Sequence, residues 1–388
     1  MTRVGTRALL AVFTCLALVA CTPPPEPGPG PSAAARVRAA GIGLTLDGAP
    51  WWPLGVNAYQ LGTDWSVNAG CGSQTDLDAY FGSLPPRTLT RFWLFAGQAR
   101  DRTGALDFDP LDRVFAAARR HDQLLLPVLG NGEGACDGGF KQSGWYRGGW
   151  RTDTAGSRTF PEWIDTAVRR WRSEPTVAGW SLLNEAEVSD CGDAACTWSA
   201  RRCPSDAGPV LRSFVTDASA LVRRLDPDRL LFAGIAGGGQ CGAAGDDYRA
   251  LSALPAVDVA EYHHYASDGA TFPGSPYDGL AVRLRQATQV GKPLFIGELG
   301  MDAGSGCAVS REARAGIVER NTARLREAGA TGVLLWSAVP DRRVSGCTMD
   351  IGPDDPVWAV VAAAATHTPP SSPAPPASAP QEPAPSTR

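Results

Sequence analysis

Eight short apolar runs constrain this chain more than any other feature. They are Trp52 to Asn57, Leu89 to Phe95, Leu124 to Leu129, Val177 to Asn184, Leu230 to Ile235, Val257 to Tyr265, Leu294 to Glu298 and Gly332 to Ser337. Between most of them apolar residues recur at helical spacing, as in Leu111 to His121, Phe160 to Arg172, Pro209 to Leu225 and Arg311 to Gly329. A short run without polar alternation reads as a strand buried on both faces, and strands alternating with helices are parallel. Eight such units suit a closed α/β barrel, a (β/α)8 TIM barrel, better than an open sheet. No Gly-x-Gly-x-x-Gly follows the first run to mark a dinucleotide fold. The alanine-rich stretch Val360 to Ala365 supplies the final helix.

The ends carry no fold. Arg3 and Arg7 precede an apolar stretch, Ala8 to Ala20, too short for a stable bilayer span, so residues 1–20 read as an export signal. The signal ends Leu18-Val19-Ala20-Cys21, which resembles the lipobox of bacterial lipoproteins. That resemblance implies cleavage before Cys21, lipid on its sulfur and anchoring at the outer face of the membrane; an ordinary secretory signal is the alternative. Two or more acyl chains suffice for stable anchoring, and no other stretch is long enough to span a membrane. Residues 21–35 contain Pro-Pro-Pro-Glu-Pro-Gly-Pro-Gly-Pro and form a semi-rigid linker. Residues 368–388, rich in proline, serine and alanine, form a disordered tail. Residues 36–367 remain, about 330, which is ordinary for one barrel with long loops.

A formal charge of −4, from 40 acidic and 36 basic residues without long runs of either sign, argues against nucleic acid as a partner. A monomer is expected. Of the 10 cysteines, Cys15 leaves with the signal and Cys21 is the anchor. Cys71, Cys136, Cys191, Cys196, Cys203, Cys241, Cys307 and Cys347 remain, an even number suited to disulfides in an exported chain. In a barrel all of them fall in loops after strands, on the rim of the carboxyl face. Cys71 with Cys136 and Cys307 with Cys347 are the expected bridges, the other four pairing among themselves. Zinc at Cys191, Cys196 and Cys203 fits no common finger spacing.

Polar residues at the ends of the runs carry the chemistry. Glu185 closes Asn184-Glu185 after the fourth run and Glu298 closes the seventh, so both face the mouth of a barrel and can meet across one pocket. Two convergent carboxyl groups are what cleavage of a glycosidic bond requires. With Arg91 in the second run, His263-His264-Tyr265 in the sixth and Trp336 in the eighth, the pattern resembles glycoside hydrolase family 5 and its clan of retaining barrel enzymes, over residues 40 to 360. The resemblance implies Glu185 as general acid and base, Glu298 as nucleophile, and Arg91, Asn184, His263, Tyr265 and Trp336 as substrate-binding residues. Glu185 must then be held protonated, and Glu298 ionised beside Arg91 and Tyr265. Trp336 offers a face for a sugar ring, and Trp65, Trp145, Trp150 and Trp198 on loops mark a carbohydrate cleft. Many family members carry a histidine after strand three, where this chain has Leu129-Gly130-Asn131-Gly132-Glu133. Glu133 and Glu187 are further binding candidates.

No cofactor is implied. Strand alternation puts Glu261 and His263 on one face and His264 on the other, so these three do not converge on a metal. The expectation is an exported retaining glycoside hydrolase acting on a β-linked polysaccharide or oligosaccharide, first a β-mannan. The alternatives are a β-1,4- or β-1,3-glucanase, or an inactive carbohydrate-binding envelope lipoprotein.

Overall fold

The computed structural model describes residues 33–62, 71–72, 75–154, 158–192, 196–265, 273–343 and 345–364. The export signal, Cys21, the linker up to residue 32, Trp65 and the tail lie outside the described residues.

The eight expected strands form: β1 (Leu54–Asn57), β2 (Leu89–Trp93), β3 (Leu124–Val128), β4 (Gly179–Ser181), β5 (Leu230–Phe232), β6 (Ala260–Tyr265), β7 (Leu294–Gly300) and β8 (Ala330–Trp336). They pair in parallel in the order β5-β4-β3-β2-β1-β8-β7-β6, and a parallel bridge from Phe232 to Val259 joins the two ends of the row into a barrel. All residues of β1, β2, β3, β4, β5 and β7 are buried, which is why these runs show no polar alternation.

The main helices are α1 (Leu77–Gly82), α2 (Asp109–Arg120), α3 (Phe160–Trp171), α4 (Ala207–Leu225), α5 (Asp246–Ser252), α6 (Leu280–Gln289), α7 (Arg311–Glu327) and α8 (Pro356–Ala364), with a single helical turn over Ser143–Arg147 in the loop after β3. The start of α3 is set by a capping box in which Thr159 and Glu162 satisfy each other's backbone N–H groups. Its buried face carries Trp163, Val168 and Trp171, and Trp171 stacks on Phe115 of α2 at 5.0 Å between centroids. Truncating such a ring to alanine costs about 3 to 5 kcal/mol. The short α1 and α5, and α6 beside α5, fall in stretches where few apolar residues repeat.

A three-stranded antiparallel meander, Val37–Ala40, Gly43–Leu46 and Ala49–Trp51, precedes the barrel and was not expected. Its Val37, Leu44 and Leu46 pack against Leu89, Leu124, Leu230 and Phe295 at the beginnings of the barrel strands, so the meander plugs the amino-terminal end. Packing starts inside the expected linker, where Ala33 N–H donates to the Arg172 carbonyl and Ala35 is buried.

The disulfides join Cys71 to Cys136, Cys191 to Cys196, Cys203 to Cys241 and Cys307 to Cys347. Each lies in the loops above the carboxyl ends of the strands. Together they staple the rim and leave the barrel staves free of cross-links.

Candidate active site

The mouth of the barrel gathers one polar residue from nearly every strand end. Arg91 on β2 is the hub. Its Nη1 donates to Glu298 Oε1 at 2.8 Å and to Asn57 Oδ1 at 2.9 Å, and its Nη2 donates to Asn184 Oδ1 at 2.7 Å. Asn184 in turn donates from Nδ2 to Asn131 Oδ1 at 3.2 Å, and Asn57 donates to the Gly297 carbonyl at 2.9 Å. These bonds orient the amide that precedes Glu185 and the backbone that precedes Glu298. Asn57 and Asn131 went unremarked in the sequence although they close β1 and follow β3; the strand-end position was the available signal.

Strand β4 ends early, at Ser181, and the chain then turns outward so that Glu185 sits at φ 48°. A non-glycine residue in the left-handed region costs about 1 kcal/mol or more and is held only by its surroundings. Glycine at 234, on the neighbouring β5 loop at φ 79°, makes the turn possible, because a Cβ there would stand 1.7 Å from the Leu183 carbonyl oxygen.

Glu185 and Glu298 face each other across His263. One oxygen of each carboxyl group and one ring nitrogen of His263 all lie within 4.8 Å of one another. His263 Nδ1 lies 2.8 Å from Glu185 Oε1 and 3.5 Å from Glu298 Oε2. The Tyr265 hydroxyl donates to the same Oε2 of Glu298, opposite the oxygen that Arg91 holds. The Glu298 side chain is 3% exposed and that of Glu185 22%, which leaves Glu185 the carboxyl group that substrate reaches first.

Electrostatics order these groups differently from the expectation of a protonated Glu185 beside an ionised Glu298. Burial works to lower the pKa of His263, but the charge of Glu298 and the contacts with Glu185 and Glu261 outweigh it and push it up to about 10. The direction favours the imidazolium form of His263. Burial raises Glu185, and the hydrogen bond and charge of His263, with Arg91 and Arg201 farther away, bring it below the usual carboxylate range. Glu298 is held above that range by complete burial, which outweighs His263 and Arg91 and is reinforced by the charge of Glu185. Two carboxyl groups this close titrate as a coupled pair, and which of them holds a proton depends on what lies between them. Tyr265 is kept firmly as a phenol by burial and by the charge of Glu298.

His263, expected among the substrate contacts, is almost fully buried and lies behind the carboxyl pair. Alternation along β6 put it on the same face as Glu261 but gave no hint of its other neighbours. Glu185, His263 and Glu298 are close enough for a single cation to reach all three.

Trp336 ends β8 half-buried, and Tyr59 stacks on it at 5.3 Å with an 8° interplanar angle; Trp93 closes the group at 6.4 Å from Trp336. Trp145 and Trp150 depart from their expected place in a cleft. Trp150 is buried, and both pack with Phe160 and Phe214 beneath the loop, so their bulk fills core. Trp198 is 65% exposed and covers the Arg201 guanidinium at 4.1 Å, with Phe140 on that group at 4.5 Å. Arg201 binds Glu133 at 2.6 Å and Glu187 at 2.8 Å, so both carboxylates are held in ion pairs above the catalytic-face loops.

Known proteins share this architecture. The chain is 25% identical over 332 residues to a probable mannan endo-1,4-beta-mannosidase F of Neosartorya fischeri, covering 76% of this chain and 66% of that protein. It is 27% identical over 311 residues to mannan endo-1,4-beta-mannosidase 7 of Arabidopsis thaliana, covering 67% of each. The chain thus spans about two thirds or less of the length of the first curated relatives it matches, 66% of the Neosartorya fischeri protein and 59% of the Aspergillus oryzae protein. Among solved structures, an endo-1,4-beta-mannanase from Rhizomucor miehei aligns with a TM-score of 0.58 at 19% identity, over 84% of this chain and 97% of its own. An endo-beta-1,4-mannanase from Thermotoga petrophila aligns with a TM-score of 0.57 at 18% identity, over 82% of this chain and 77% of its own. These likenesses establish the barrel and accord with the resemblance to glycoside hydrolase family 5. No protein-family model matches the chain.

Proposed function

We propose that this chain is an exported endo-acting β-1,4-mannanase that works by retaining double displacement. The observation that carries the proposal is the approach of Glu185 and Glu298 to within 4.8 Å of each other. A retaining pair stands roughly 5 to 5.5 Å apart, whereas an inverting pair needs about 6.5 to 9.5 Å to admit a water between the acid and the sugar.

The roles follow from position. Glu298, oriented by Arg91 and Tyr265, attacks the anomeric carbon while the leaving oxygen takes a proton from Glu185, the more exposed carboxyl group. Sugar bound between the two excludes water from Glu185 and places the shared proton on it. Glu185 then deprotonates the water that releases the sugar from Glu298. Asn184, fixed by Arg91 and Asn131, presents its amide to the sugar's 2-hydroxyl, and Trp336 supports the ring. The relatives' activity on mannan supports the choice of sugar. Four disulfides support export to an oxidising compartment. The residues before Cys21 support a lipid anchor there, for which loss of a fatty-acid label in Cys21→Ala is the test.

The deciding experiment is a panel of β-mannan, β-1,4-glucan and β-1,3-glucan, with wild type beside Glu185→Ala and Glu298→Ala. Reducing ends should rise fastest on mannan, with a rapid fall in viscosity and a first-formed β-anomer, and both variants should lose at least about 1,000-fold in kcat. A wild type inert on all three, an α-anomer formed first, or a variant with full activity would each overturn the proposal. Preference for a glucan would overturn the substrate alone.

A further inference from the structure

Glu261 on β6 is a buried carboxyl group to which the mechanism above gives no task. The residue is 1% exposed, and neither side-chain oxygen has a hydrogen-bond partner. An isolated buried carboxylate is costly, and in practice it is retained only beside a compensating charge. The nearest such charge is His263, whose Nε2 lies 3.5 Å from Glu261 Oε1 and has no hydrogen-bond partner either. The chain has left space for this contact at Gly297 on β7, where a Cβ would stand 2.4 Å from Glu261 Oε1 and 2.9 Å from His263 Nε2.

From this geometry we propose that Glu261 is a positioning residue: it holds His263 as an imidazolium aimed at Glu185, so that the buried charges sum to zero throughout the double displacement. The inference rests on the hydrolase reading. The other groups facing this site are Glu185 from the β4 loop, Glu298 on β7, Arg91 on β2, Tyr265 at the end of β6 and Tyr248 of α5, whose hydroxyl donates to the Glu261 carbonyl. In the free enzyme Glu185 and Glu298 share one proton and carry one negative charge. When the sugar's anomeric carbon bonds to Glu298 and its bond to the leaving oxygen breaks, Glu298 becomes a neutral ester. Glu185 has by then given its proton to the leaving oxygen, so the pair still carries one negative charge. Arg91 and His263 supply two positive charges at both stages, and Glu261 supplies the second negative one. Without it the site holds an excess positive charge that discourages the proton on His263 and weakens the imidazolium's hold on Glu185.

The test is a titration of the histidine rings by nitrogen NMR, tractable because the chain has only 4 histidines, with His263 assigned by its loss in His263→Asn. Wild type should keep a doubly protonated His263 through neutral pH. Glu261→Gln, which is isosteric, should lower its midpoint by about one pH unit or more and reduce kcat about 10-fold with KM nearly unchanged, and Glu261→Asp should recover part of both. A neutral His263 ring in wild type at pH 7, or an unmoved midpoint in Glu261→Gln, overturns the inference. Should Glu261→Gln fail to fold, the wild-type titration and Glu261→Asp decide by the same criteria. A chain inert on every polysaccharide refutes the hydrolase reading, whereas the titration reports on Glu261 alone.

Discussion

Replacing Arg91 by lysine keeps a positive charge and removes the fork that distributes it. The arginine side chain is fully buried and makes three hydrogen bonds, to Glu298, Asn57 and Asn184, at 2.8, 2.9 and 2.7 Å. A single ammonium on a shorter stem can retain one of them, and the planar geometry that serves Glu298 and Asn184 together is lost. Hydrogen bonds to charged groups contribute about 1.5 to 3 kcal/mol each, so losing two costs roughly 3 to 6 kcal/mol. In a barrel of this size that lowers the thermal midpoint by on the order of 10 °C. With about 3 kcal/mol of the loss falling on the transition state, kcat/KM drops roughly 100-fold. Arg91→Met also removes the charge that pulls Glu298 down, so Glu298 rises further and the acid limb of kcat/KM moves to higher pH. The assay is initial-rate hydrolysis of a manno-oligosaccharide across pH, paired with calorimetry. An Arg91→Lys enzyme within about threefold of wild type, with an unchanged midpoint, would refute the reasoning, since the network would then carry neither stability nor catalysis.

Two further outcomes follow from the geometry. Because the folded pKa of His263, about 10, lies above its ordinary 6.5, the stability His263 contributes is complete below pH 6.5 and disappears as the pH rises toward 10. His263→Asn should flatten that decline in thermal midpoint, and by freeing Glu185 of its cationic neighbour it should move the alkaline limb of the residual activity to higher pH. Replacing Cys203 and Cys241 together by serine opens a cross-link spanning 38 residues between the β4 and β5 loops, at a cost of about 2 to 4 kcal/mol seen in the denaturant midpoint.

The sequence carried the barrel because burial leaves a plain mark: strands enclosed on both faces cannot alternate, and eight of them stood out. It carried Glu185, Glu298 and Arg91 because polar residues in or just after an otherwise apolar barrel strand stand out, and those toward its carboxyl end reach the mouth. Contacts between strand ends left no such mark. That His263 belongs to Glu185 depends on β6 and β4 meeting across the mouth, and Glu185 reaches the meeting point only by leaving its strand at a positive φ. The meander over Val37–Trp51 escaped for the opposite reason: its short strands have one exposed side, so their apolar residues are too few to stand out from a loop. Trp145 and Trp150 misled because an aromatic residue on a connection reads as a cleft residue whether it lines the cleft or fills the space beneath it.

The meander also fixes where the described chain enters the barrel. The described chain begins at Ala33, pinned to the end of α3, and passes directly into the plug at the floor of the barrel, while both glutamates open at the opposite end. The barrel is thus entered at its closed end, and the mouth that holds both glutamates is turned away from the point of entry.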